Sequence, residues 1–162
     1  MTTPAITLRP LTEHDAGALR DFYNDLSPAS IRTFRPLGLS TTLDACEKIV
    51  VNANAPKATR YDLGAWHGNT LVGWGSVSGL DTDRPEFGLG VADAWQGQGI
   101  GKKLIDGVLD HARSRGLSRI YLIAVKDNAR AIGLYNSRGF VQYGEMTGDW
   151  DGLSYVKMVA DL

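Results

Sequence analysis

The fold is decided by residues 86–125, which read EFGLGVADAWQGQGIGKKLIDGVLDHARSRGLSRIYLIAV. Residues 86–91 predict a strand, residues 98–115 a helix and residues 118–125 a second strand. The helix repeats its apolar residues at intervals of about one turn, as a helix packed on a sheet does. Residues 121–125 form a near-continuous apolar run, which is typical of a strand buried on both faces. Together these segments predict a β-α-β unit.

A glycine-rich loop, QGQGIGK at residues 96–102, joins the first strand of this unit to its helix. Glycines let the backbone approach a ligand closely, and the first turn of a helix offers unpaired N–H groups and a positive dipole end. Such a loop suits an anionic phosphate. The dinucleotide fingerprint requires glycine in place of Lys102, and the P-loop requires glycine in place of Gln96 and Ser or Thr in place of Lys103. The spacing therefore favours neither NAD nor ATP.

The remaining segments predict further elements around this unit. They comprise a strand over residues 6–10, a helix over about 15–26, an irregular stretch over 27–39, a helix that begins at Thr41 or Thr42 and ends near 54–56, a hairpin formed by 61–66 and 70–77, a short helix over 128–138, and strands near 140–146 and 153–159. This order predicts an α/β fold with a mixed sheet.

Composition predicts one ordinary globular domain. The chain has 162 residues, of which 43% are hydrophobic and 22% charged. The 17 basic and 18 acidic residues create no global positive field for nucleic acid or an anionic membrane. No apolar run approaches the roughly 20 residues of a membrane span, and the opening MTTPAITLRP lacks the apolar core of a secretory signal. We therefore expect a cytoplasmic protein that binds neither nucleic acid nor membrane.

The cysteine and histidines predict no metal site. Cys46 is the single cysteine, which excludes an intramolecular disulfide, and it lies in an apolar helical stripe typical of the core. His14, His67 and His111 show no metal-ligand spacing to one another or to Cys46. We expect neither a bound metal nor a hydrolase triad, because no Gly-x-Ser-x-Gly elbow is present.

Two signatures resemble those of the GNAT family of N-acetyltransferases. Gln96-x-x-Gly99-x-Gly101 matches the family's pyrophosphate loop. Residues 128–140, NARAIGLYNSRGF, match its second signature, Asn-x-x-Ala-x-x-x-Tyr-x-x-x-Gly-Phe. The order and spacing of both agree with the family, and the earlier elements follow its order. The resemblance implies one N-acetyltransferase domain over residues 1–162, with a mainly antiparallel twisted sheet flanked by helices and the β-α-β unit as the acetyl-CoA site.

The resemblance also implies which residues hold acetyl-CoA. The backbone of Leu89, Gly90 and Val91 is expected to pair with the pantetheine arm as an added strand would. Pyrophosphate contacts are expected from Gln96, Gly97, Gln98, Gly99, Ile100, Gly101 and Lys102. For Lys102 and Lys103, simple solvation is an equally good interpretation. Asn128 is expected to bond the pantetheine or nearby backbone, and it is also a good helix N-cap, so the two roles can coexist.

Amine acetylation needs a neutral amine to attack the thioester and benefits from a proton donor for the sulfur. Tyr135 is the candidate acid, because the tyrosine of this signature approaches the CoA sulfur in similar enzymes. The alternative is an aromatic residue that packs a helix on the sheet. Glu86 is the candidate base, or else a solvated charge at the start of a strand. Enzymes that acetylate ribosomal-protein N-termini carry a glutamate on the next strand, where this chain has Ile123.

The candidate acceptor site lies in the irregular stretch before the second predicted helix. Arg32 and Arg35 flank Phe34, which would place two planar donors for a carboxylate or phosphate beside an aromatic wall. The alternative is a pair of solvated arginines with Phe34 in the core. The first interpretation predicts an acceptor that carries an anionic group, as a free amino acid does.

The sequence therefore predicts an acetyltransferase that moves an acetyl group from acetyl-CoA to an amine by direct attack. The acceptor remains open among small amines, amino acids and protein amines. The oligomeric state is open as well, with a homodimer as one possibility because similar proteins often dimerise. Three alternatives stay open: a non-catalytic CoA-binding or sensor domain, transfer of a longer acyl group, and a nucleotide-binding regulatory module.

Overall fold

The computed structural model describes residues 5–149 and 151–162; the first four residues of the opening stretch, in which we expected no secretory signal, lie outside it. Seven strands, five helices and one short 3₁₀ helix form the described chain. They are β1 (Thr7–Pro10), α1 (Ala16–Asn24), α2 (Pro28–Thr33), α3 (Leu43–Ala53), β2 (Arg60–His67), β3 (Thr70–Ser78), β4 (Glu86–Val91), the 3₁₀ helix (Asp93–Trp95), α4 (Ile100–Ser114), β5 (Arg119–Val125), α5 (Ala129–Ser137), β6 (Val141–Thr147) and β7 (Ser154–Asp161).

The strands form one sheet in the order β1-β2-β3-β4-β5-β7-β6. Strands β4 and β5 are parallel neighbours, and every other neighbouring pair is antiparallel. The parallel pair is joined by α4, as the β-α-β prediction requires. The predicted mixed, mainly antiparallel sheet and the β2–β3 hairpin are therefore confirmed.

A gap opens between β4 and β5. Strand β4 pairs with β3 along its whole length, from Glu86 opposite Ser78 to Val91 opposite Gly73. With β5 it shares the single ladder pair Glu86–Tyr121, supported by a 2.9 Å bond from Tyr121 N to Pro85 O. Among the described residues, no ladder pair between β4 and β5 follows toward Val91. The two strands diverge there, so the edge of β4 that faces β5 remains accessible to a ligand.

Helices cover the two faces of the sheet in separate layers. Helices α4 and α5 pack on one face, with Leu104 and Val108 fully buried, and α1, α2 and α3 pack on the other with Cys46 in their core. Strand β3 allows α4 to approach closely because it carries glycines: a Cβ on Gly73 would lie 2.8 Å from Leu104 Cδ1. The predicted core positions Leu104, Val108 and Cys46 are therefore confirmed, whereas Leu43, which was predicted on the same helical face as Cys46, is 41% exposed.

The prediction of an irregular stretch over residues 27–39 was wrong for its first part, which forms helix α2. The Ser27 side chain caps this helix by accepting from Ser30 N at 3.2 Å, and Pro28 occupies its first turn. Proline is tolerated there because the N–H it lacks has no helical partner. The Ser27-Pro28 pair therefore starts a new helix as well as separating it from α1.

The prediction that residues 121–125 are buried on both faces was also wrong. Ile123 is 43% exposed and Tyr121 is only half-buried, while Ile120, Leu122 and Ala124 are buried against α4 and α5. The reason is the position of the second helical layer: the core beneath α1–α3 includes side chains of β2 and β3 but none of β5–β7. The face of β5 that carries Ile123 is therefore left open.

Candidate active site

A groove of about 700 Å³ lies where β4 and β5 diverge. Its walls come from the end of β4, the glycine loop, the first turn of α4 and helix α5. They include every residue expected to hold acetyl-CoA except Gln98, namely Leu89, Gly90, Val91, Gln96, Gly97, Gly99, Ile100, Gly101, Lys102 and Asn128. Gln98 is absent from these walls, and its side-chain nitrogen lies 3.4 Å from Ala94 O.

The glycine loop has the backbone geometry of an anion site. Gly97 and Gly99 adopt φ angles of +79° and +83°, a left-handed conformation that L side chains rarely adopt. Gly99 is the N-cap of α4 and supplies no capping side chain, so the first N–H groups of this helix remain open to a ligand. Gly101 also leaves room, because a Cβ there would meet nothing closer than Leu89 Cδ2 at 3.6 Å. A phosphate could reach this backbone and the helix dipole together.

Two amide side chains hold the ends of the groove in place. Gln96 Nε2 lies 3.0 Å from both Val91 O and Ser30 Oγ, which ties the loop to the end of β4 and to α2. Asn128 Oδ1 accepts from Ala131 N at 3.4 Å, so Asn128 caps α5. The amide nitrogen of Asn128 has no acceptor among residues 5–149 and 151–162, which leaves it able to donate to a ligand in the groove.

Two arginines that line the groove were not predicted from the sequence. Arg130 and Arg138 both line it, and Arg130 Nη2 would lie 3.5 Å from a Cβ on Gly97. Arg138 is held by Asp106 at 3.0 and 3.2 Å, whereas Arg130 has no ion-pair partner in the part of the chain that the structure describes. The second signature allows any residue at these two positions, so it does not mark them as ligand contacts. Only the packing of α5 beside the glycine loop shows that they face this groove.

A second cavity of about 420 Å³ adjoins the groove. Both are lined by Thr33, Phe34, Leu89 and Tyr135, so these residues stand between the two spaces. The second cavity also contains Glu86, Ile123 and the two arginines expected to bind the acceptor. The structure thus brings together the candidate acid, the candidate base and the candidate acceptor residues.

Tyr135 is the residue whose environment is most unusual. It is 8% exposed, and its ring packs edge-on against Phe87 and Phe140, with both pairs of ring centroids 5.9 Å apart. Burial raises the pKa of Tyr135 to about 12. The phenol therefore keeps its proton at neutral pH and has a hydrogen to donate. No hydrogen bond to its hydroxyl is present within the described residues.

Glu86 occupies the first position of β4 and faces the second cavity. Desolvation by its surroundings raises the pKa of this carboxyl above its usual value, although the residue as a whole stays accessible to solvent. Its carboxylate makes no ion pair or hydrogen bond with any residue the structure describes. Such a carboxyl holds its proton more tightly, and so has a higher pKa, than an ordinary surface glutamate.

Phe34 combines the two roles that the sequence left open. It is half-buried, packs against Trp74 and Tyr23 with ring centroids 5.7 and 6.2 Å away, and also lines both cavities. Gly90 makes room for it, since a Cβ there would lie 2.3 Å from the Phe34 ring. Phe34 is therefore both a core residue and a wall of the site.

Arg32 and Arg35 line the second cavity, but both guanidinium groups already contact protein groups. Arg32 donates twice to Asp127, at 2.9 and 2.8 Å. Arg35 is bonded to Asp151 and lies 3.1 Å from the Tyr155 hydroxyl. A substrate carboxylate would have to compete with these partners.

Two other features, a metal-type cluster and a membrane-spanning helix, are absent from the described residues. Within residues 5–149 and 151–162, no three His, Cys, Asp or Glu side chains are grouped as a metal ion would require. No helix in the same ranges combines the length and apolarity needed to cross a bilayer.

Comparisons with known proteins agree with this geometry. The sequence model of the acetyltransferase (GNAT) family matches residues 19–140. N-alpha-acetyltransferase RimI of Mycobacterium tuberculosis is 41% identical over 86 residues, which are 51% of this chain and 52% of that protein. Mycothiol acetyltransferase of Geodermatophilus obscurus is 35% identical over 86 residues, 49% of this chain and 28% of that protein. These matches span about half the length of the first relative and less of the second.

Solved structures extend the similarity over nearly the whole chain. The ribosomal-protein-alanine N-acetyltransferase of Brucella melitensis superposes with a TM-score of 0.81 at 26% identity, covering 96% of this chain and 99% of that one. A GNAT-family acetyltransferase of Streptococcus pneumoniae reaches 0.79 at 18% identity, covering 98% and 100%, which shows the shared fold. The family model alone covers most of the sequence, and the chain belongs to the acetyltransferase (GNAT) family.

Proposed function

We propose that this protein transfers an acetyl group from acetyl-CoA to an amine by direct attack on the thioester. The observation that carries the proposal is the shared wall at Tyr135: a long groove with a phosphate-type loop and a smaller cavity with an accessible carboxylate adjoin at one phenol. A thioester in the groove and an amine in the cavity would meet beside that hydroxyl.

The groove supports acetyl-CoA because its parts match the parts of that molecule. The unpaired edge of β4 at Leu89–Val91 suits the amides of the pantetheine arm, which can add to the sheet as a strand does. The left-handed glycines and the open start of α4 suit the pyrophosphate, with Lys102 and Arg130 as nearby cations. Asn128 would donate its free amide N–H to the pantetheine while it caps α5.

The cavity supports a proton-transfer role for Glu86. An alkyl amine with a pKa of about 10.4 is almost wholly protonated at neutral pH, so a base must remove a proton before attack. Glu86 would accept that proton, and the neutral amine would then attack the carbonyl carbon. The carbon–sulfur bond breaks, and the sulfur leaves as a thiolate that accepts a hydrogen bond from Tyr135 and takes up the second proton, which the attacking nitrogen loses as the amide forms. We assign Arg32 and Arg35 a structural role, as walls of this cavity.

The far edge of the sheet is exposed and partly apolar. Strand β6 is an edge strand of the sheet, and Val141 is 60% exposed on it beside the exposed Tyr143. An accessible apolar edge of this kind supports our proposal of a homodimer. Because acetyl-CoA is made and consumed inside cells, we also propose a cytoplasmic location.

The test is a screen for acetyl-CoA consumption across a library of small amines, amino acids and peptides. Thiol release should depend on the amine, and mass spectrometry should find the amine acetylated. Binding of CoA without turnover on any amine would instead favour a sensor domain. Turnover of succinyl-CoA in preference to acetyl-CoA would correct the acyl group and leave the rest of the proposal intact.

A further inference from the structure

The acceptor cavity carries a charge pattern that the sequence does not reveal. Three guanidinium groups line it, those of Arg32, Arg35 and Arg60. Considered alone, they would attract an anionic substrate. Each one, however, is matched by a carboxylate of the protein, supplied in order by Asp127, Asp151 and Asp62.

Two of these ion pairs are part-buried, with the aspartate the more buried partner in each. Arg60 donates to both oxygens of Asp62, at 2.7 and 2.8 Å, and Asp62 is 1% exposed and also accepts from Trp74 Nε1 at 2.8 Å. The Asp151 side chain is 6% exposed and contacts Arg35 and the Tyr155 hydroxyl. If a substrate carboxylate took either arginine, it would leave a buried aspartate without its counter-charge, which is strongly unfavourable.

The third pair lies nearer the surface but has the geometry of a closed fork. Both Nη atoms of Arg32 contact Asp127, one to each carboxylate oxygen. Two parallel charge-assisted bonds are the strongest arrangement that an arginine forms. A substrate carboxylate that bound Arg32 would replace one bidentate ion pair with another, so the net gain in binding free energy would be small.

Glu86 is the exception in this cavity. Its ladder neighbours are Ser78 and Tyr121, neither of which supplies a cation, and its carboxylate has no partner among the described residues. The cation that precedes it in sequence, Arg84, points elsewhere: it lies over the Tyr121 ring at 4.4 Å and donates to the Tyr143 hydroxyl at 2.7 Å. Once the ion pairs are counted, the cavity presents one uncompensated negative charge.

We infer that the acceptor is an amine with no carboxylate next to its nitrogen, such as a simple alkyl or aryl-alkyl amine, a lysine-type side chain or the amine of a longer peptide. This inference rests on the proposed function and assigns its substrate class. Glu86 attracts the ammonium form of such an acceptor and then removes its proton. A free amino acid would bring its own carboxylate against Glu86, and like charges brought together at a binding site cost affinity. The expectation of an anionic acceptor held by Arg32 and Arg35 is thereby replaced.

The experiment compares amines in matched pairs that differ by one carboxylate next to the nitrogen-bearing carbon: phenethylamine with phenylalanine, and tyramine with tyrosine. For each pair, calorimetry on the protein saturated with CoA gives affinity, and thiol release from acetyl-CoA gives kcat/KM. We expect the decarboxylated member to be preferred by at least about tenfold in a pair that binds. In the Glu86→Gln variant, the ratio of the two calorimetric affinities should move toward one, whether or not the variant still acetylates amines.

The outcomes separate this inference from the proposed function. If no amine is acetylated although CoA binds, the proposed activity fails, and the calorimetric comparison still decides the charge preference. If the carboxylated members bind equally well or better, or if no pair shows the preference, the substrate class assigned here is wrong.

Discussion

Of the four residues that line both the groove and the smaller cavity, Tyr135 is the one with an acidic hydroxyl, so that hydroxyl is the first atom to test. Its pKa is about 12, whereas a thiol has a pKa of about 8.5, so the phenol is a weaker acid than the thiol whose thiolate it would have to protonate. We therefore expect a hydrogen bond to the departing sulfur, rather than complete proton transfer, to be its main contribution.

Tyr135→Phe removes only the hydroxyl and keeps the ring that packs on Phe87 and Phe140. Turnover should fall by about 10²-fold, since one positioned donor at a developing charge contributes on that order. The affinity for acetyl-CoA, measured by calorimetry, should stay within a few-fold of the parent. Near-normal turnover would mean that Tyr135 serves only to pack α5 on the sheet.

Glu86→Gln tests the base through its pH dependence. The pKa of Glu86 is raised by desolvation, so its acid form dominates below that pKa and kcat/KM for an alkyl amine should decline as pH falls through it. The variant should lose this acid limb together with most of its activity on amines of high pKa. An unchanged pH profile would exclude Glu86 as the base.

The stability of the same variant supplies the control. A carboxyl whose folded pKa is raised contributes stability that is present below its unfolded pKa and lost as pH rises through the folded pKa. At neutral pH, Glu86 therefore costs the folded state free energy, and Gln should keep or raise the Tm. A fall in Tm would indicate that lost activity reflects misfolding.

At the scale of elements, the start of α4 carries the proposed phosphate contact. Gly101 is the second residue of this helix, and a side chain there meets only ordinary contacts. Gly101→Glu should fold well, because an acidic residue in the first turn favours a helix by about 0.3–1 kcal/mol. The same charge should repel the pyrophosphate and weaken acetyl-CoA binding by at least about tenfold, as measured by calorimetry.

Helix α1 offers a matched control for this substitution. Gly17 is also the second residue of its helix, and a Cβ there would meet nothing within 4 Å. Gly17→Glu should therefore leave acetyl-CoA affinity unchanged. Equal affinities for acetyl-CoA in the two variants would contradict the assignment of the phosphate to the start of α4.

Strand β4 must also leave room for Phe34. Gly90→Ala should displace the ring, because the new Cβ would lie 2.3 Å from it, and overpacking of this kind costs about 1–3 kcal/mol. Gly88→Ala on the same strand should cost less, since its Cβ would lie 3.8 Å from the ring and 3.3 Å from Ser76 Oγ. Chemical denaturation measures both free energies of unfolding. Equal losses in the two variants would show that Phe34 shifts without cost.

At the scale of the whole molecule, local patterns were sufficient to predict the architecture. The bounds of β4 agree residue for residue, and Pro85 directly precedes its first residue. Helix α2 was missed because Ser-Pro both ends one helix and begins another, and the local sequence does not say which.

The candidate site was less predictable because its decisive contacts join distant segments. Arg32 and Arg35 pair with residues 95 and 116 positions away in sequence, and no periodicity reveals such pairs. The placement of Arg130 beside the glycine loop depends in the same way on how α5 packs. The loop itself was found because glycine spacing is a local property of the chain.

The central claim is that acetyl-CoA occupies the groove between β4 and β5. Its most direct test is a calorimetric titration of the unmodified protein with acetyl-CoA, ATP and NAD under identical conditions, together with the Tm in each ligand. We expect saturable binding of one acetyl-CoA per chain and a higher Tm, since a ligand that binds only the folded state stabilises it, and neither effect with ATP or NAD. Binding of ATP or NAD, with none of acetyl-CoA, would contradict the account.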